Sequence, residues 1–197
     1  MRLSYLFVIL ISFLVIRPAS AYLYNQKFGP QAGILIEPVV GFSIGELITV
    51  DPNDPVDDYR DYTDVSYGGR LGFQYGGLQM GADYLKSTLS FEKEDWKDST
   101  INEWAWFVGY KFPALLRLYA GYIFSATGEA TYVGSKLNFI EGSGSKFGIG
   151  FTGFPFVNIN LEYKKGVFGD VDVGGVKIGA EQSYHSYMLS FSVPIFI

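Results

Sequence analysis

The chain has 197 residues, of which 48% are hydrophobic and 18% aromatic, a size and composition that suit a single domain rich in β-strand. It contains no cysteine, so disulfide bonds contribute nothing to its stability. The formal net charge of −5 argues against nucleic acid as a partner, because nucleic-acid-binding surfaces need an excess of basic residues.

Residues 1–21 have the order of features found in a secretory signal peptide. Arg2 precedes an apolar run from Tyr5 to Ile16, and the segment ends in the small residues Ala19-Ser20-Ala21. The apolar run is shorter than the ~20 residues that a membrane-spanning helix needs. We therefore predict cleavage after Ala21, which leaves a mature domain of residues 22–197. No later segment has the length of a membrane helix, so this domain can cross a membrane only as strands.

The mature chain alternates between apolar residues and small, polar or charged residues, and this alternation predicts strands. Eight are expected, at about 33–46, 65–75, 78–84, 103–112, 116–125, 146–152, 157–164 and 184–197. In the last strand the apolar positions run from Tyr187 to Ile197, and Ser190 and Ser192 occupy the other face. A terminal strand suits a barrel, in which the last strand pairs with the first and no edge is left open.

The connections alternate between tight turns and long polar segments. Gly76-Gly77 predicts a two-residue hairpin, which sets Tyr75 opposite Leu78 and therefore Arg70 opposite Asp83. Short turns are also expected after the fourth and sixth strands, at 113–115 and 154–156. Polar loops are predicted at 46–64, 86–102 and 126–144.

Two irregularities are expected in the last part of the chain. Gly174-Gly175 predicts a second hairpin, and the change of parity after it requires a bulge near Gly179-Ala180. Pro194 cannot donate a hydrogen bond to a neighbouring strand. It should therefore lie at a bulge or where the contact with the first strand is frayed.

The less apolar face of the strands combines glycines with charged residues of both signs. The charged residues are Glu37, Arg70, Asp83, Glu103, Lys111, Arg117, Lys146, Glu162 and Lys164. A narrow lumen can hold such residues, because opposite charges pair and glycine leaves room for them. A soluble barrel of eight strands would instead have to enclose many large aromatic side chains, more than its interior accommodates. The pattern thus predicts an all-β, antiparallel, up-and-down transmembrane barrel of eight strands whose apolar face contacts lipid.

With its signal segment, alternation, uneven connections, charged lumen and C-terminal Phe196-Ile197, the chain resembles the small outer-membrane barrels of the OmpA/OmpX type over residues 30–197. Typical members end in Phe, so Ile197 departs from the pattern. The resemblance implies residence in the bacterial outer membrane, contact with its lipid and lipopolysaccharide, and insertion by the barrel-assembly machinery through the C-terminal strand.

A structural, non-enzymatic role is the first functional expectation, with a surface ligand bound through the loops and with no cofactor. On this interpretation the lumenal charges form a stabilising network, and Arg70→Ala should lower thermal stability. The alternative is a narrow, porin-like ion channel. Asp51, Asp54, Asp57 and Asp58 in the first loop form a candidate cation-binding segment, although a run of charges is usually only solvated. The acids from Asp170 to Glu181 match several positions of a calcium-binding loop but also fit the second hairpin.

His185 suggests a second alternative, a lipid-modifying enzyme. It is the only histidine, and Ser183 and Ser186 lie beside it. Outer-membrane lipid A deacylases with eight strands use a His and a Ser on the barrel surface. Ser183 can share the face of His185, whereas Ser186 points to the opposite face. The sequence shows no third residue that would orient the histidine.

Overall fold

A computed structural model describes residues 32–50, 58–91, 96–112, 115–132, 135–154, 156–177 and 181–197. The predicted signal peptide lies outside the described residues. Within those ranges, no helix is long and apolar enough to cross a membrane.

The described residues form one antiparallel sheet. Its strands are β1 (Ala32–Val50), β2 (Asp58–Tyr75), β3 (Leu78–Phe91), β4 (Trp96–Lys111), β5 (Leu116–Tyr132), β6 (Ser135–Phe151), β7 (Asn158–Val173), β8 (Val176–Lys177), β9 (Glu181–Ser192) and β10 (Ile195–Phe196). The last three are successive pieces of the eighth strand of the barrel. From β1 to β7 each strand pairs with the next one in the chain, and β9 pairs with both β7 and β1, so the sheet closes. The predicted fold class is confirmed.

The hairpin turns fix the register of the barrel. Gly76 and Gly77 have φ values of 54° and 94°, a conformation that favours glycine, and they set Tyr75 opposite Leu78 and Arg70 opposite Asp83. The turns after β2, β4 and β6 share one end of the barrel, which we call the turn end. The opposite end is called the loop end. The second hairpin, at Gly174-Gly175, lies there.

An outward band almost free of charged side chains surrounds the turn-end half of the barrel; Lys86 on β3, opposite Tyr67, lies at its loop-end edge. On β1 the outward residues from Ile34 to Ile44 are exposed and uncharged, and Glu46 is the first charge beyond them. The segment from Ile34 to Ile44 is eleven residues long. It rises roughly 25 Å along the barrel axis at ~3.3 Å per residue and a strand tilt of about 40°, which matches the apolar band of a transmembrane barrel.

Polarity reverses between the two faces at the loop end. There the interior is apolar and contains a packed cluster, which we call the apolar layer: Leu47, Tyr62, Leu89, Ile101, Ala105, Ile123, Ala126, Ala130, Phe139, Phe168, Val171 and Tyr184. Outward positions at this end carry charges such as Asp61, Lys165 and Lys177. Above the band, the barrel is thus built like a soluble one, with its apolar residues inside.

The strands extend further toward the loop end than the sequence indicates. β1 continues to Val50 and β2 begins at Asp58, so the loop predicted at 46–64 is too long. The loops predicted at 86–102 and 126–144 are likewise mostly strand. The reversal of polarity explains the error, because strands with charged outer faces and apolar inner faces do not continue the pattern of the membrane-facing part.

The expected irregularities are partly present. Asp172 pairs with Lys177 and Phe168 pairs with Gln182, so one extra residue lies between Lys177 and Gln182. Its predicted position at Gly179-Ala180 lies outside the described residues.

Of the two arrangements expected at Pro194, the bulge is absent, because the same register joins β1 to β9 before it and to β10 after it. The ladder is interrupted there instead, between Ser192 and Ile195, although the Val193 amide still donates to the Pro38 carbonyl at 3.1 Å. Pro194 is on the inward parity of its strand, with Ser190 and Ser192, and the register of both strands is unchanged across it.

Candidate functional site

Charged and polar side chains fill the lumen below the apolar layer. The buried charged residues among those described are Glu37, Asp64, Arg70, Asp83, Glu103, Arg117, Lys146, Glu162 and Lys164. We call this set the charged layer. Lys111, at the turn-end limit of β4, is half-buried. Acidic and basic groups in this layer nearly balance, so the lumen is close to neutral.

Glu37 accepts several hydrogen bonds at the turn end of the charged layer. Its carboxylate accepts hydrogen bonds from Arg117 at 2.8 Å, from Asn158 at 3.1 Å and from Ser192 at 2.5 Å. Arg117 also donates to Asn160 Oδ1 at 2.6 Å. These contacts connect β1, β5, β7 and β9 across the lumen.

Arg70 occupies the middle of the charged layer. It donates to Glu162 at 3.0 Å and to Asp83 at 3.4 Å, and one of its nitrogens lies 3.8 Å from Glu37. Its Cζ lies 4.5 Å from the centroid of the Tyr119 ring, which Arg117 approaches from 5.1 Å. Cation–π contacts of this kind add to the stability of desolvated guanidinium groups. Arg70 therefore bridges three carboxylates contributed by three strands.

Two more lysines complete the pairing. Lys146 on β6 contacts the Asp83 carboxylate on β3, across the barrel. Lys164 donates to Glu103 at 2.9 Å, and Glu103 also accepts a hydrogen bond from the Tyr184 hydroxyl at 2.5 Å. Since Tyr184 belongs to the apolar layer, Glu103 lies where the charged and apolar layers meet.

Asp64 is a buried lumenal carboxylate that the sequence analysis assigned to a loop. It accepts hydrogen bonds from Ser66 at 2.6 Å and from Ser43 at 3.0 Å, and Ser66 is also hydrogen-bonded to Ser87 at 2.7 Å. Its even number places it on the same face as Ser66 and Arg70. Extending the alternation of β2 by one residue would have identified it.

The charged side chains of the lumenal network are paired with one another. Buried charges are costly unless they are paired and hydrogen-bonded, and here each cation of the charged layer contacts at least one carboxylate. The contacts cross the lumen as well as joining neighbouring strands. Such an arrangement holds the wall strands together and leaves few charges available to a passing ion.

The two acidic segments are the ones that the sequence offers for cation binding. Asp51, Asp54 and Asp57 lie outside the described residues, and Asp58 belongs to β2. In the second hairpin, Asp172 accepts a hydrogen bond from the Gly175 amide at 2.9 Å. Within the described part of the chain, no three His, Asp or Glu side chains are grouped closely enough to hold a metal ion.

Lys177 pairs with Glu141 at the loop end. Its Nζ donates to the Glu141 carboxylate at 2.7 Å, and this hydrogen bond raises the pKa of the lysine. Both side chains are exposed, so solvent screens the interaction and it adds little to stability.

His185 lies on the outer face of the barrel, beside a residue that the sequence analysis did not connect with it. Its Nε2 is 3.4 Å from Glu46 Oε2, and the two residues are opposite each other in the pairing of β1 and β9. Ser183 is on the same face, but no hydrogen bond joins it to His185. Ser186 is buried in the lumen. Among the described residues, His185 thus has a carboxylate beside it but no hydrogen-bonded nucleophile.

A closed antiparallel barrel of eight strands, with an uncharged outward band and a charged lumen, is a transmembrane β-barrel of the outer-membrane type. The closed antiparallel barrel of eight strands that the resemblance implies is present in the described residues.

Solved structures with a similar fold include Neisserial surface protein A (NspA), with 16% sequence identity and a TM-score of 0.47 over 79% of this chain and 96% of that one. They also include Ail, the attachment invasion locus protein of Yersinia pestis, with 11% identity and a TM-score of 0.40 over 81% and 98% of the two chains. The outer membrane protease OmpT from Escherichia coli is similar at 10% identity and a TM-score of 0.35, over 84% and 96%. No protein-family model and no curated protein matches the chain.

Proposed function

We propose that this protein resides in the bacterial outer membrane as a closed, non-enzymatic barrel that supports the envelope and presents its loop end to surface ligands. The observation that carries the proposal is the position of Arg70. It bridges Asp83 on β3, Glu162 on β7 and Glu37 on β1, in the centre of the lumen. A conducting path would have to pass this group.

The apolar layer supports the same function. An ion that passed the charged layer would next meet a packed interior of aromatic and aliphatic side chains, including Phe168 and Ile123, which are completely buried. Transfer of an ion into such surroundings is strongly unfavourable. The lumen thus has two successive barriers of different chemistry.

The loop end is the part suited to surface contacts. Beyond the uncharged band the strands continue for several residues and carry outward charges of both signs, among them Glu129, Lys136, Glu141 and Lys177. In this proposal the acidic segment with Asp51, Asp54, Asp57 and Asp58 adds to that surface, where it would attract cations or basic partners. Outer-membrane lipid and lipopolysaccharide would surround the band, and the C-terminal strand would engage the barrel-assembly machinery.

Two measurements test this function together. The mature protein should fractionate with outer membranes and show a heat-dependent shift in gel mobility, as folded barrels do. In planar lipid bilayers it should give no discrete conductance steps. Reproducible steps from the purified, folded protein would favour the porin-like alternative, and absence from the outer-membrane fraction would reject the proposed location.

The lipid-modifying alternative depends on Ser183, His185 and Glu46. The contact between His185 and Glu46 favours it, because a carboxylate orients the histidine in many nucleophilic sites. Mass spectrometry of lipid A from cells that overproduce the protein decides between the two. We expect unmodified lipid A, whereas loss of an acyl chain that depends on His185 would establish the enzyme.

A further inference from the structure

A groove of about 520 Å³ lies on the outer face of the barrel, where the uncharged band ends. Ile44 and Tyr187 line its membrane side, and Glu46, Asp61 and His185 line its loop-end side. An apolar wall below and a polar wall above is the arrangement that an amphiphile would fit. The groove lies on β1, β2, β3 and β9, away from the lumenal network.

The strand register fixes the order of the polar groups. Glu46 on β1 is opposite Asp61 on β2 and opposite His185 on β9. One pair closer to the turn end, Ile44 is opposite Thr63 and Tyr187. Each charged residue is therefore the first one beyond the band on its own strand, at the level where lipid headgroups meet the hydrocarbon region.

Asp61, Glu46, His185 and Lys165 follow one another across four paired strands, and we call them the row. Cationic and anionic groups are separated along it. His185 is opposite Lys165 on β7 as well as opposite Glu46, so its imidazole lies between a carboxylate and an ammonium group in the register. The carboxylates of Glu46 and Asp61 occupy one side of the row, and Lys165 occupies the other. A ligand that matches this row would carry a positive and a negative charge a few ångströms apart.

We propose that the groove binds a phospholipid with a phosphoethanolamine headgroup. The ammonium group would donate hydrogen bonds to Glu46 and Asp61, and the phosphate would lie toward His185 and Lys165. One acyl chain would follow Ile44 and Tyr187 into the bilayer.

The row distinguishes this headgroup from two common alternatives. A phosphocholine group carries the same charges, but its quaternary ammonium has no N–H to donate to a carboxylate. A phosphoglycerol group has no cation, so it would leave the carboxylates of Glu46 and Asp61 without a positive partner while its phosphate adds a negative charge near them. Thr63 and Ser90 also line the groove and add neutral hydrogen-bonding groups.

The test is to count lipids that remain bound to the folded mature protein in detergent, by native mass spectrometry, after equilibration with equal amounts of phosphatidylethanolamine, phosphatidylcholine and phosphatidylglycerol. We expect the protein to retain about five times as much phosphatidylethanolamine as either other lipid. This is the effect expected of a partly exposed, charge-assisted hydrogen bond. Glu46→Gln leaves Asp61 as the one carboxylate of the groove and should lower the preference clearly below the wild-type value. Glu129→Gln, an identical change at an exposed position on β5, should retain it.

Equal retention of the three lipids by the wild-type protein would overturn the proposal, and this comparison needs no variant. The same conclusion follows if Glu46→Gln and Glu129→Gln retain the same preference as the wild type. The heat-dependent gel shift of each variant shows that the compared proteins are folded.

Discussion

The guanidinium of Arg117 donates a hydrogen bond to the Glu37 carboxylate at 2.8 Å and thereby joins β5 to β1 across the lumen. Neither side chain is more than 2% exposed. Arg117 reaches Asn160 on β7 as well, so one side chain connects three strands that are not neighbours in the sheet. In the charged layer, ion pairs and hydrogen bonds therefore join the strands across the lumen, as aliphatic side chains do in the apolar layer.

Removal of one partner of this pair should be more harmful than replacement of both. Arg117→Met leaves the buried Glu37 with two neutral hydrogen-bond donors and with Arg70 only at 3.8 Å, and we expect it to lower the free energy of unfolding by about 3–5 kcal/mol. Adding Glu37→Gln removes the incompletely paired charge, so the double variant should be more stable than the Arg117→Met variant. Urea unfolding in lipid vesicles, followed by tryptophan fluorescence, measures both. Strictly additive losses would show that the two residues do not interact.

Arg70→Ala separates the structural interpretation of the lumen from the porin-like one. Loss of the guanidinium leaves Glu162 with one fewer cation and removes a contact with the Tyr119 ring, so the unfolding transition should move to lower urea concentration. Bilayer recordings of the folded variant should remain without conductance steps, because the apolar layer still blocks the lumen. A rise in conductance with unchanged stability would support an ion path.

Close packing against glycine in the lumen gives a further test. A Cβ at Gly148 would lie 2.2 Å from the Tyr119 ring, whereas a Cβ at Gly69, on the outer face, would have no atom closer than 3.4 Å. Gly148→Ala should therefore destabilise the barrel by about 1–3 kcal/mol, as overpacking does. Gly69→Ala is the matched control and should be nearly neutral. Equal unfolding midpoints for the two variants would show that Tyr119 can move away without loss.

The alternation of apolar and polar residues predicts the strands of the membrane-facing half of the barrel, because there nearly all outward positions are apolar or uncharged and most inward positions are small or polar. Between the turn end and residues such as Ile44, outward side chains meet lipid and inward ones meet other polar groups, so parity assigns each face. The hairpin at Gly76-Gly77 then fixes the register, and with it the contact of Arg70 and Asp83.

This parity rule changes at the loop end, so the alternation that marks strands elsewhere does not identify them there. Outward residues meet water, so Asp61 is on the face that carries apolar residues elsewhere, and Tyr62 is inside. A segment with this reversed polarity has the composition of a loop, which is why Asp64 is missed. The pairing of His185 with Glu46 depends on the closure of β9 against β1, which no local pattern contains.

The exposed pair of Lys177 and Glu141 should contribute little at any pH in the neutral range. Because the pKa of Lys177 is raised, its stabilising contribution is complete below the ordinary lysine pKa of ~10.4 and is lost as the pH rises through the folded-state value. Lys177→Ala should therefore shift the unfolding midpoint slightly and by the same amount at pH 6 and pH 9. A shift that grows markedly between these values would indicate that another titrating group depends on Lys177.

Charge substitutions on the outer face test whether lipid surrounds the uncharged band. Leu71 on β2 is 60% exposed inside the band, and Val176 on β8 is 64% exposed beyond it. Leu71→Arg should lower the free energy of unfolding in lipid vesicles by about 2–4 kcal/mol, because an arginine near the middle of the bilayer loses its hydration. Val176→Arg faces water and should change it by less than about 0.5 kcal/mol. If both variants unfolded at the wild-type urea concentration, Leu71 would face water, and the barrel would not be embedded in a membrane.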